Sequence, residues 1–226
     1  MRQKVQEYHA LASDQGSYTD YGFHAIITDP TETVLEEELP VLAKEGITSV
    51  KLFLTYQHMR ISDKDFLRAL YKARELDMVA LVHAENGDLV DFFTEQLEAR
   101  KLTDPYFKAI AHPPAAEAEA TNRAVIFSSI MDTPLVIVHV SVPQSAEIIR
   151  KAQENLQPVF AETCPQYLLL SKSHLQQEHF CGAKFICSPP LRSDPSDVEA
   201  IWKGLMNGTF TIFSSDHCPY RYVWIS

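Results

Sequence analysis

Short apolar runs alternate with amphipathic stretches along this chain. The runs FHAIIT (23–28), SVKLFLTY (49–56), MVALVHAE (78–85), PLVIVHVS (134–141), PVFAET (158–163) and TFTIFSSD (209–216) have the length and composition of β-strands. Between them the apolar positions recur at helical spacing. One helix is expected to start at Ser62, whose hydroxyl can cap it with Asp65 three residues on, so that Phe66, Leu67, Leu70 and Ala73 share a face. Others are expected over 87–101, 115–131, 144–156 and 195–206, and Pro40 marks a kink or a helix start inside 31–45. This alternation implies right-handed βαβ units and a parallel sheet. No Gly-rich phosphate loop follows a strand, and with 7 glycines in all a dinucleotide-binding fold is poorly supported. The expected fold class is therefore α/β, a (β/α)8 TIM-type barrel that is incomplete. Six strands are visible where a barrel has eight, all in a single domain over 1–226.

Composition narrows the function classes. At 46% hydrophobic and 22% charged, the chain of 226 residues is ordinary globular protein. Its net charge of −10 argues against a nucleic-acid partner met through a basic face. No segment has the length of a membrane span or the apolar core of a signal peptide. Cys164, Cys181, Cys187 and Cys218 show no C-x-x-C spacing, which fits reduced thiols in the cytoplasm.

The polar residues on the strands carry the chemistry. Lys51 sits within an apolar run that reads as buried on both faces, where an unpaired ammonium is strongly disfavoured. His83, His139 and Asp216 lie near the C-terminal ends of three further strands, the end where barrel active sites are built. Singly, each has a plain structural reading: a hydrogen-bonded histidine, a turn aspartate, a lysine whose head reaches water along an edge. Together they would converge at the barrel mouth. Neutral imidazoles and a carboxylate suit a divalent metal such as zinc. A lysine joins such a set if CO2 carboxylates it, which converts the cation into an anion able to bridge two metal ions. His24, His58, His112, His174 and His217 read as structural or surface residues. For His217 the reason is that neighbours on a strand point to opposite faces. Glu117 reads as a solvated or first-turn acid, and Cys164, Cys187 and Cys218 as small buried hydrophobes.

From about Tyr18 to Tyr220, the pieces SVKLFLTY, LVHAENGD, VHVS, ETCPQYL, CSPPLRS and SSDHCPY follow one order. In this the chain resembles the dihydropyrimidinase and hydantoinase group of the metal-dependent amidohydrolases. The resemblance implies that Lys51 is the carboxylated bridging ligand, that His83 and His139 bind one zinc, and that Asp216 binds the other and shuttles the proton. It implies that Tyr56 donates to the oxyanion and that Ser188 pairs through its backbone with the ring amide. The implied reaction is hydrolysis of a small cyclic amide, namely dihydropyrimidine ring opening (dihydrouracil to N-carbamoyl-β-alanine) in pyrimidine catabolism, by a homotetramer when full length. Cys-Ser-Pro-Pro-Leu-Arg sides with this group over allantoinases and dihydroorotases, although a hydantoinase- or allantoinase-type amidase remains the alternative.

The chain also departs from that pattern. It has no His-x-His, the pair that in the family opens the barrel and shares a metal with Asp216, and RYVWIS follows SSDHCPY where the family continues into a substrate loop. The expectation is a chain lacking both ends and the small β-sandwich domain, binding at most one metal tightly and with little activity alone. A non-catalytic scaffolding homologue is the competing reading, and a metal-free α/β binding domain is the third.

Overall fold

The computed structural model describes residues 1–192 and 195–218, so RYVWIS (221–226) and Tyr220 lie outside the described residues. All six expected strands are present, shorter than the apolar runs that announce them. They are β1 (Ala25–Ile26), β2 (Ser49–Phe53), β3 (Val79–His83), β4 (Leu135–Ile137), β5 (Val159–Thr163) and β6 (Ile212–Phe213). Each pairs in parallel with the next, in the order β1-β2-β3-β4-β5-β6. This is the strand order of an α/β barrel, laid out as a sheet that does not close.

The register explains the sidedness. Ala25, Val50, Ala80, Leu135 and Val159 stand in one row, followed two residues on by Leu52, Val82, Ile137 and Ala161. All are buried. They pack in one core with the apolar faces of α3 (Asp63–Glu75), α6 (Pro114–Met131) and α7 (Pro143–Glu154). The opposite face carries Ile26, Lys51, Leu81, Val136 and Phe160 in register. Ile26 and Phe160 on that face are exposed. The strand of Lys51 is thus buried on one face, and half-buried on the face the lysine shares, where burial on both was expected.

Local chemistry sets the helix starts. Ser62 Oγ accepts from the Asp65 amide at 3.1 Å and opens α3 at the expected residue. Asn86 Oδ1 does the same for Leu89 at 3.0 Å and opens α4 (Gly87–Ala99). Prolines, whose missing N–H is no loss in a first turn, open α5 (Pro105–Ala111), α6, α7 and α8 (Pro165–Leu169). Pro40 falls in the first turn of α2 (Leu39–Lys44), directly after a π-helical turn over Val34–Glu38. Both expected outcomes, a distortion and a helix start, therefore occur together. The expected helix at 195–206 is α9 (Pro195–Met206). Periodicity gave no sign of α1 (Arg2–Gln15), in which Tyr8 and Leu11 are exposed and no apolar face is continuous. Among the described residues no helix is long and apolar enough to cross a membrane.

Candidate metal centre

The polar residues singled out in the sequence gather at the C-terminal edge of the sheet. Three of them, Tyr56 (φ 68°), His139 (φ 42°) and Asp216 (φ 47°), have left-handed backbone, which is uncommon outside glycine and least favourable for the bulky Tyr56. Of the other non-glycine residues with positive φ, Asp77, Lys101, Asp132 and Leu156 follow helices, where such a turn is the usual exit. At Tyr56, His139 and Asp216 the chain leaves a strand instead, and strain of this kind clusters at working sites.

His83 and His139 stand at the centre. Their rings are 4.4 Å apart between centroids, edge to face, and both residues are buried. Burial holds both imidazoles below their ordinary range, so each is neutral and has a lone pair to offer. His83 Nε2 lies 2.7 Å from Glu85 Oε2, which leaves Nδ1 as its open nitrogen. His139 Nδ1 is buried without any hydrogen-bond partner. An orphaned buried nitrogen is costly unless something else satisfies it.

Lys51 belongs to the same cluster. Its Nζ is 5.2 Å from the centroid of Phe53, whose ring stacks on His83 at 5.8 Å. Burial lowers its pKa to about 8, against the opposing pull of the Glu162 and Asp216 charges. An amine poised there is in part free base near neutral pH, the form that reacts with CO2. Asp216 is exposed, yet the protein shell and the neighbouring Glu162 charge push its carboxyl up, with Lys51 opposing. The Tyr56 ring is 5.0 Å from His83, and its phenol has the Ser188 side chain as a hydrogen-bonding partner. Desolvation raises the phenol pKa, so Tyr56 stays a proton donor.

Among the described residues no three His, Cys, Asp or Glu side chains meet closely enough to hold an ion by themselves. The set that fits a metal is the His83 and His139 pair completed by Lys51, which becomes an anionic ligand only on carboxylation. The orphaned His139 Nδ1, the open His83 Nδ1 and the depressed lysine all fit such a group.

Several residues escaped the sequence reading. Glu162 is a further ionisable group near a strand end, and its charge reaches both Lys51 and Asp216. The rule that selected Lys51 and His83 would have selected it in PVFAET. Glu85 is fully buried between His83 and His112, whose Nδ1 is 2.8 Å from Glu85 Oε1. Burial alone would raise this carboxyl, but the hydrogen bonds from His112 and His83 outweigh it and hold it well below the usual carboxylate range. Glu117 is a first-turn acid of α6 but is not solvated. It is 2% exposed and accepts from the Ser141 amide and hydroxyl, the Val142 amide and Arg192. Ion pairing with Arg192 in the interior makes that burial tolerable. Cys164 is buried as expected, whereas Cys187 is half-buried and Cys218 exposed. The alternation argument for His217 does not apply, because β6 ends at Phe213 and both Asp216 and His217 lie beyond it.

No protein-family model matches the chain. A D-hydantoinase of Geobacillus stearothermophilus is 39% identical over 223 residues, covering 98% of this chain and 47% of that protein. A solved D-hydantoinase superposes with a TM-score of 0.93 at 39% identity, over 97% of this chain and 47% of its own. The dihydropyrimidinase of Brevibacillus agri NCHU1002 gives a TM-score of 0.89 at 39% identity, over 96% and 48%. The chain spans about half the length of the curated relatives it matches.

Proposed function

We propose, from the premise that this chain is similar over nearly its whole length to the hydantoinase and dihydropyrimidinase group, that it carries the core of a zinc-dependent cyclic amide hydrolase. The observation that carries the reading is the convergence of two neutral, buried imidazoles with a half-buried lysine of lowered pKa at the C-terminal edge of a parallel sheet. His83 and His139 would hold the zinc through their free nitrogens. Lys51, once its free-base nitrogen adds to CO2 and loses a proton, would complete the set, with Asp216 and its neighbour Glu162 close by. Bound there, zinc would supply Lewis-acid polarisation of the amide carbonyl and a water acidified towards a pKa of about 7.

The chain's own groups would do the rest. Asp216, its carboxyl raised towards the working pH, is suited to take a proton from the attacking water and return it to the leaving ring nitrogen. Tyr56 would donate its phenolic proton as a hydrogen bond to the carbonyl oxygen while charge develops there. Ser188, already beside the Tyr56 phenol, would hold the ring amide through its backbone. Water thereby adds across the ring C–N bond, its oxygen to carbon and its proton to nitrogen. Dihydrouracil is the substrate we favour, with hydantoin opened at the same site, which would place the whole protein in pyrimidine breakdown.

Zinc content and ring opening of dihydrouracil and hydantoin, measured together in bicarbonate buffer, test the reading. Zinc retained by the wild-type chain and lost in His83→Ala and His139→Ala is the expected result. A chain that binds no zinc and opens neither ring overturns it.

A further inference from the structure

Glu85 is left without a role by the metal-ligand reading, yet it is fully buried directly behind His83. One carboxylate oxygen is 2.7 Å from His83 Nε2 and the other 2.8 Å from His112 Nδ1. Both rings are buried as deeply, at 2% and 3% exposure. A carboxylate can only accept, so each imidazole must place its proton on the nitrogen that faces Glu85. For His83 that nitrogen is Nε2, and the lone pair is left on Nδ1.

The dyad is itself anchored. Arg192 donates through Nη1 to the His112 carbonyl at 2.6 Å, through Nε to Ser141 Oγ at 2.9 Å, and through Nη2 to Glu117 at 3.0 Å. Ser141 lies two residues after His139, so one buried polar chain links the strand ends of both metal histidines. His139 has no comparable partner on its Nδ1. The protein therefore orients one imidazole firmly and leaves the other to be satisfied from outside.

We propose that Glu85, backed by His112, is a positioning residue that locks His83 in the Nε2–H tautomer and thereby presents Nδ1 as its metal-binding nitrogen. The second half of this assignment rests on the metal reading of His83; the first half does not. Carboxylates behind metal-binding histidines act in this way generally, and losing one lowers metal affinity by about 10- to 100-fold.

Two-bond nitrogen–proton NMR spectra of the metal-free chain read the tautomer directly, with His83→Gln identifying the resonance. The expected wild-type spectrum shows His83 protonated on Nε2. In Glu85→Ala the Nδ1–H tautomer gains population, and zinc affinity measured by chelator competition falls about 10- to 100-fold. A purely structural role for Glu85 would lower thermal stability without moving the tautomer. If Glu85→Ala does not fold, the isosteric Glu85→Gln replaces it. The amide keeps an acceptor oxygen towards one ring and puts an NH2 donor towards the other, so the tautomers of His83 and His112 cannot both persist. A wild-type His83 protonated on Nδ1 overturns the assignment. So does a Glu85→Ala chain with its tautomer or zinc affinity unchanged, or a Glu85→Gln chain keeping both tautomers. A wild-type chain with the expected tautomer but no zinc affinity overturns the metal reading and leaves the tautomer assignment standing.

Discussion

Replacing Arg192 with Met leaves Glu117 as a buried carboxylate without its cation. Arg192 is 6% and Glu117 2% exposed, so water cannot replace the guanidinium. Removing one partner of a buried pair costs about 3–5 kcal/mol, because the other charge stays desolvated and unpaired. That is a large share of the ~5–15 kcal/mol that keeps a typical domain folded. At roughly 2–4 °C per kcal/mol for a chain of this size, the melting temperature should fall by about 6–20 °C. The loss has a definite pH dependence. Burial already raises the Glu117 pKa, with Arg192 and Ser141 opposing. Without Arg192 it rises further, so the folded variant takes up a proton as pH falls while the unfolded chain does so only lower down. The variant should therefore be most destabilised above that raised pKa and recover relative to wild type on acidification. Urea unfolding followed by circular dichroism across pH measures both effects, and Glu117→Gln added to Arg192→Met should recover part of the loss. A loss below ~1 kcal/mol, the range of exposed pairs, or one that deepens in acid, refutes the reasoning.

The core and the site yield further expectations. Leu52→Ala removes a side chain of 0% exposure between β2 and its helices and should cost about 2–5 kcal/mol in urea unfolding. Native mass spectrometry under mild conditions should show a mass increase of one CO2 per wild-type chain, and Lys51→Met should abolish both that increase and zinc retention. Tyr56→Phe should lower kcat for dihydrouracil opening by about 10²–10³-fold, as for removal of an oxyanion donor, with KM little changed. Stripping zinc from a loaded sample should lower thermal stability by about 2.7 kcal/mol when free zinc had stood at 100 times its Kd.

Most of the sheet was legible because its rule is local. Val50, Leu52, Val82 and Ile137 are apolar at strand spacing, and burial on one face of a parallel sheet needs little else. Ser62 announces a helix start through side-chain chemistry that acts within three residues, and Asn86 caps the next helix in the same way, although it was not picked out in the sequence. What stayed hidden depends on distant partners. Glu117 looks like any first-turn acid until Arg192, 75 residues on, meets it inside the protein. Glu85 looks like an ordinary acid at the end of the run MVALVHAE until His112, 27 residues on, closes over it. The helix α1 was hidden for the opposite reason, since a polar helix with no continuous apolar face leaves no period to read.

The left-handed residues show why strand ends should be read differently from strand middles. Periodicity assigns a side chain to a face by assuming that the strand continues, and it would have turned His139 away from Lys51, since its odd-numbered neighbours on β4 face the helices. At φ 42° the backbone instead swings the ring to within 4.4 Å of His83. A local rule therefore fails where long-range convergence takes over, and such conflicts are expected at functional sites. If the strain at His139 serves that convergence, then His139→Gly should relieve the backbone and stabilise the chain while abolishing zinc retention. A fold maintained for packing alone would gain nothing from the imidazole and would lose only its buried surface. Stability rising while zinc retention falls in that single variant would mark the strain as functional. Stability falling would show that the packing of the buried ring outweighs any strain at this position, and zinc retained without the imidazole would remove His139 from the metal site.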